Sequence, residues 1–217
     1  MSLVAKETGS GGGFDPVPEG TYTAVCYAVV DLGTHHSELF KKDAHKALIM
    51  WEIPEERIEV ERDGKTVDLP RAISKRYTMS LHKKASLRHD LEAWRGKRFT
   101  EGELQGFDLK HIVGVPCLLG IVHATKGEKT YADISSIMAM PRKKGEAAPK
   151  PENPTVAFEI PDGQNGAFDI PESLPDWVVN TIMESKEYNG LMPKPITMPE
   201  ATEEKELPDD GGDDLPF

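Results

Sequence analysis

The residues best placed to do chemistry are cations. Between Arg71 and Arg98 the chain carries nine bases, Arg71, Lys75, Arg76, Lys83, Lys84, Arg88, Arg95, Lys97 and Arg98, against two acids, Asp90 and Glu92. Arg142, Lys143 and Lys144 form a second cluster, and Lys41 and Lys42 follow Phe40 in the run ELFKK. Guanidinium and ammonium groups at this density suit phosphate oxygens, and an aromatic ring beside them offers a face for a base to stack on. These are the two components of sequence-tolerant single-strand binding. For any one cation an ordinary solvated surface position is the alternative, but as a set, in an acidic protein, they favour phosphate contact.

Catalytic chemistry is poorly represented. The chain has no H-E-x-x-H, no Gly-rich phosphate loop, no C-x-x-C and no G-x-S-x-G. Its seven histidines do not fall at metal-ligand spacings. Glu52, Glu55 and Glu56 near His45 leave a metal-dependent nuclease as a distant alternative, and neither an enzyme nor a cofactor is expected. Cys26 and Cys117 lie in the apolar runs TAVCYAVV and VPCLLGIV, which makes them buried thiols rather than a disulfide or a metal pair.

Charge is segregated along the 217 residues. Residues 1 to 19 carry 1 base and 3 acids, residues 20 to 145 carry 21 and 17, and residues 146 to 217 carry 4 and 17, for nets of -2, +4 and -13 within the total of -11. A basic body with an acidic tail fits a nucleic-acid-binding domain joined to an interaction segment. No run approaches the roughly 18 apolar residues of a membrane span, and the N-terminal residues lack the apolar stretch of a signal peptide. A cytoplasmic protein without membrane contact is expected.

The elements that must position these groups follow from period and punctuation. Residues 1 to 19 are Gly-rich and read as a flexible arm. TYTAVCYAVVDLG, HKALIMWEIP and ISKRYTMSL read as three strands, with Asp63-Gly64 turning a hairpin inside the second connection. In KKASLRHDLEAWRG the period changes, and Leu87, Leu91 and Trp94 share one helical face that stops at Gly96. VPCLLGIVHAT and TYADISSIMAM are two further strands. Residues 146 to 172 are dense in Pro and Gly and read as linker. SLPDWVVNTIMESKEYNG, within 173 to 190, reads as a short helix capped by Ser173, offering Trp177, Val178, Thr181, Ile182 and Tyr188 to a partner or to the body. Residues 191 to 217 have almost nothing to bury and read as a disordered acidic tail.

Strand, strand, strand, helix, strand, strand is the order of an OB-fold, a five-stranded Greek-key barrel with a helix between strands 3 and 4. The expected class is therefore mainly β, with the barrel over residues 20 to 145. Tyr77 and Trp51 share the parity of core positions and Trp94 lies on the packed helix face, whereas Phe40, Tyr22, Tyr27 and Tyr131 remain candidate stacking platforms.

Asp213-Asp214-Leu215-Pro216-Phe217, after an acidic lead-in, resembles the C-terminal tip of bacterial single-stranded-DNA-binding proteins. The runs ISKRYTMSLHKKASLRHDLEAWRG, GFDLKHIVG and PCLLGIVH resemble phage and prophage OB-fold single-strand binders. The resemblance implies a protein that binds and protects single-stranded DNA during replication, recombination or repair, in a bacterial host cell if phage-encoded. Asp213, Asp214, Leu215, Pro216 and Phe217 would then recruit replication or repair proteins. A protein-only replication adaptor is the rival reading, one that accounts for the acidic end but not for the basic run. A homo-oligomer is compatible with the sequence.

Overall fold

The computed structural model describes residues 16–38, 40–62, 64–127, 129–141, 145 and 147–192. Arg142, Lys143, Lys144, the tip Asp213 to Phe217, most of the N-terminal arm and the tail after residue 192 lie outside the described residues.

The protein is mainly β. Strands β1 (Gly20–Ser37), β2 (Lys42–Arg62), β3 (Lys65–Thr78), β4 (Pro116–Lys126) and β5 (Lys129–Ala139) form one antiparallel sheet in the order β3-β2-β1-β4-β5. The sheet curls into a half-barrel, so that its outermost strands β3 and β5 come into contact. β1 makes this possible. Its first residues pair with β4 and its remainder with β2, and an irregularity at Cys26/Ala28 marks the change of partner. The hairpin expected at Asp63-Gly64, of which Asp63 lies outside the described residues, is no separate excursion. β2 and β3 pair as one long ribbon out to Arg62 and Lys65, with Gly64 at φ +71° and a register irregularity between Ile53 and Arg57.

Alternation decides which face each residue takes. Ala24, Cys26, Ile49, Trp51, Ile53, Ile73, Tyr77, Leu119, Ile121, Ile134 and Ile137 point inward. Helix α1 (Ser86–Arg95) closes this core with Leu87, Leu91 and Trp94, and Gly96 ends it in the left-handed region at φ +66°. Trp94 and Trp51 rings lie 5.7 Å apart, and the Trp94 indole N–H donates to the Pro116 carbonyl at 3.0 Å. The stretch between α1 and β4 holds a short helix α2 (Glu101–Gln105) and a 3₁₀ turn (Leu109–Ile112). Both thiols are buried and free, and burial pushes the Cys26 thiol up to about 12.

The expected linker departs most from the sequence reading. Val156–Phe158 is a strand, β6, pairing in parallel with Ala28 to Val30 along the edge of β1 that β4 has left. Residues 147 to 192 form a strap over the outer face of β1 and β2. Helix α3 (Asp176–Met183) buries Val178 and Ile182 against Ala28, Val30, Leu32, Leu48 and Met50. Pro175, not Ser173, occupies its N-cap position, and no side chain caps it. The helix therefore docks on the body, with Trp177 left 45% exposed.

Two carboxylates pin the strap. Glu52, fully buried on β2, accepts from the backbone N–H groups of Glu152 at 2.5 Å and Asn153 at 2.9 Å and from Asn153 Nδ2 at 2.6 Å. Glu187 accepts from Thr34 N at 2.7 Å and Thr34 Oγ1 at 2.6 Å. Burial pushes the Glu187 carboxyl up, but the Thr34 hydrogen bonds outweigh it and hold it below the usual 4.5. Gly33, at φ +77°, admits this contact, since a Cβ there would meet the Ser185 Cβ at 2.6 Å.

Ile182→Ala is expected to lower stability by about 2–5 kcal/mol in urea titrations, because the site is closed on all sides. A depressed carboxyl stabilises the fold above its unfolded value and loses that contribution as pH falls through the folded one. Strap docking, followed by Trp177 fluorescence, is therefore expected to weaken below about pH 4.5 in the native protein but to change little there in Glu187→Gln.

Candidate nucleic-acid interface

Register brings distant parts of the basic set together. Lys46 pairs with Thr78 and Leu48 with Arg76, while Met79 N donates to the His45 carbonyl at 2.9 Å. The end of β3 thus lies beside the start of β2, and the β1–β2 turn and the loop from β3 to α1 emerge at the same end of the sheet. Phe40, Lys41 and Lys42 come from the turn, Lys83 and Lys84 from the loop, and Arg76 from the outer face of β3.

Their surroundings suit a polyanion. Arg76, Lys83 and Lys84 are exposed and make no ion pair among the described residues. Phe40 is 67% exposed, and the Lys42 ammonium sits 5.9 Å from its ring centroid. Lys41 turns the chain at φ +48° and pairs with the equally exposed Glu38 at 3.0 Å. An exposed pair of this kind contributes little and exchanges readily for a phosphate. Lys46, absent from the candidates read from the sequence, belongs here: its Nζ donates to Thr78 Oγ1 at 2.7 Å. Its parity with Leu48 and Met50, outward on β2, is the signal that would have found it.

Other candidates are engaged elsewhere. Lys75 faces inward, 2.8 Å from Asp90, with the Tyr77 hydroxyl donating to the same carboxylate oxygen at 2.8 Å. Burial, reinforced by Asp90, raises the Tyr77 phenol well above its ordinary value. Arg88 pairs with Glu92 at 2.9 Å and donates to the Leu81 carbonyl at 3.3 Å. Arg71 is half-buried at a cavity of about 500 Å³ between the β2–β3 ribbon and Tyr27. Arg95, paired with Glu103, lies over the rings of Phe99 and Phe107 at 4.5 and 5.0 Å.

The aromatic candidates separate in the same way. Tyr22 donates to the Pro18 carbonyl at 3.1 Å, and Tyr27, packed against the strap, has its phenol pushed up to about 12, first by burial and then by Glu52. Tyr131 is 49% exposed but lies on β5. Phe40 is the one ring of the four that adjoins the cation cluster.

Among the described residues, no group of three or more His, Cys, Asp or Glu could hold a metal ion, and no helix is long and apolar enough to cross a membrane. Compared with family models, curated proteins and solved structures, the chain gives no significant match.

Adjacent lysine and arginine on β3 therefore differ in role. Lys75→Ala is expected to cost about 1–3 kcal/mol of stability, because it strands the Asp90 carboxylate. Arg76→Ala is expected to stay within about 0.5 kcal/mol of wild type, as exposed substitutions do. Thermal or urea unfolding of both variants tests the assignment.

Proposed function

We propose that residues 20 to 145 form an OB-fold that binds single-stranded DNA with little sequence preference, and that the acidic tail recruits replication or repair proteins. The strand order, the contact between β3 and β5 and a helix between β3 and β4 match that fold. One observation carries the binding reading: Phe40, Lys42, Lys46, Arg76, Lys83 and Lys84 gather at one end of the sheet, leaving a stacking face beside unpaired cations.

Electrostatics also supplies a path. The strap, with 2 bases and 8 acids over residues 147 to 192, repels a polyanion from the covered face of β1 and β2. The strand runs instead over β3 and between the two loops. Its phosphates contact Arg76, Lys83 and Lys84, and a base stacks on Phe40. Phosphate contacts position the strand without reading it, so affinity is nearly independent of sequence. Partner recruitment rests on the resemblance of Asp213 to Phe217 to the bacterial tip, where a ring, a proline and acids offer a composite signal to a basic, apolar-floored pocket.

Fluorescence anisotropy with a labelled oligonucleotide tests the reading. Affinity is expected to fall with salt by about 0.7 in log–log slope for each phosphate contact, and Arg76→Ala/Lys83→Ala/Lys84→Ala to reduce the slope by about 2 for every sequence alike. Phe40→Ala is expected to cost about 1–3 kcal/mol of binding. Truncation after Leu191 should raise affinity at low salt, because it removes acids that compete for the cations. A flat salt response, or equal affinity for duplex, would overturn the proposal in favour of a protein-only adaptor.

A further inference from the structure

Two adjoining cavities, of about 420 and 450 Å³, open at the end of the core where β1 and β2 carry Val29, Asp31, His45 and Ala47. They share Asp31, Met79 and Glu159 and so form one groove with two lobes. The strap lines it with Phe158, Glu159 and Asp162, and the stretch after α2 with Phe107, Leu109 and Lys110. Each lobe has the size of a small-ligand pocket, about 300–1,000 Å³.

The groove joins an apolar floor to a surplus of negative charge. Val29, Ala47 and Leu109 floor the first lobe, beside the rings of Phe107 and Phe158 and the 44% exposed Met79. Around the two lobes stand five carboxylates, Asp31, Asp108, Glu159, Asp162 and Glu187, against Lys110 and His45. Both cations are engaged: Lys110 pairs with Glu159, and His45 Nε2 lies 2.6 Å from Asp31 Oδ1. Asp31 Oδ1 also accepts from Gly33 N at 2.8 Å, whereas Oδ2 meets, among the described residues, only the Ile160 N–H at 3.4 Å. Ordinary N–H···O bonds are about 2.7–3.2 Å long. One oxygen of a carboxylate only 16% exposed, lying where the lobes meet, therefore has room for a strong donor.

We infer that this groove receives an arginine or lysine side chain from a basic segment of a partner protein, its stem on the apolar floor and its head on Asp31 Oδ2. Charge selects this occupant. The carboxylates repel a nucleic acid and the chain's own acidic tail alike. A neutral apolar ligand would cover the Asp31 oxygen without giving it a donor. A long cationic side chain meets both demands, burying its methylenes while its head reaches the carboxylate. The protein makes the same match internally, where Arg95 lies over Phe99 and Phe107 and pairs with Glu103. The Lys110–Glu159 pair, with side chains 50% and 60% exposed, is weak enough to open for a second cation. None of these residues belongs to the candidate DNA path.

Fluorescence anisotropy of a labelled peptide, GGRGRGG, with the full chain and no nucleic acid tests this, so its outcome is independent of the DNA-binding proposal. At about 150 mM salt, where exposed charges are screened beyond about 8 Å, saturable binding with a Kd of about 10–500 μM is expected. Asp31→Asn is expected to weaken it about tenfold or more, the loss of one hydrogen bond between charged groups. Should that variant unfold, Glu159→Gln/Asp162→Asn, at exposed positions, is expected to weaken binding several-fold. Asp176→Asn/Glu184→Gln on α3, the same change of charge outside the groove, is expected to stay within about twofold of wild type. Met79→Ser changes no charge and is expected to weaken binding about threefold, through lost stem packing. No saturable binding, full affinity in the folded groove variants or in Met79→Ser, or an equal loss in Asp176→Asn/Glu184→Gln would each overturn the inference. Displacement of the peptide by spermine at lower concentration than by unlabelled peptide would also overturn it, assigning the groove to a free polyamine.

Discussion

The structure turns on Glu52. A carboxylate on the outer side of β2 would ordinarily face water, yet this one is fully buried and meets three N–H donors from residues 152 and 153. A buried charge is tolerated only when hydrogen bonds replace its lost hydration. The strap is therefore not an ornament on a finished barrel. Removing it would leave an anion among apolar side chains and uncover Leu48, Met50 and Val30. The position of β6, the docking of α3 and the restriction of the candidate DNA path to β3 and the loops all follow from holding the strap in place.

The division between covered and open faces organises the rest of the surface. Acids concentrate on the strap, and cations at the end of the sheet where the β1–β2 turn meets the β3–α1 loop. One curled sheet thus presents two regions of opposite electrostatic character, defined by strand parity and by the segment that covers it.

Much of the body was legible in the sequence. The period change at Leu87, Leu91 and Trp94, the Gly96 stop and the strand order are local signals that tertiary contacts reinforce. The strap was not, for a physical reason. Val156-Ala157-Phe158 is too short to show a period, and its place depends on an edge of β1 that only the divergence of β4 leaves open. Among the site residues, Lys75 shares the parity of Ile73 and Tyr77, so its inward direction was readable. Its partner Asp90, on another element, was not. Arg88 is similar: a lysine or arginine count registers charge density but not the carboxylate waiting across a helical turn.

The parallel pairing of β6 with β1 joins residues 128 apart, Ala28 with Val156. During synthesis the whole antiparallel sheet is complete once Ala139 has emerged, whereas Ile182 follows only after some forty further residues. At about 5–20 residues per second that interval is several seconds, long compared with hydrophobic collapse or hairpin formation. Throughout it, the nascent barrel shows a bare apolar flank at Ala28, Val30, Leu48 and Met50 with a carboxylate, Glu52, among them. That anion is a gatekeeper in waiting: hydrated, it discourages two unfinished chains from sticking by their flanks, and only the chain's own strap brings the amides that let it be buried.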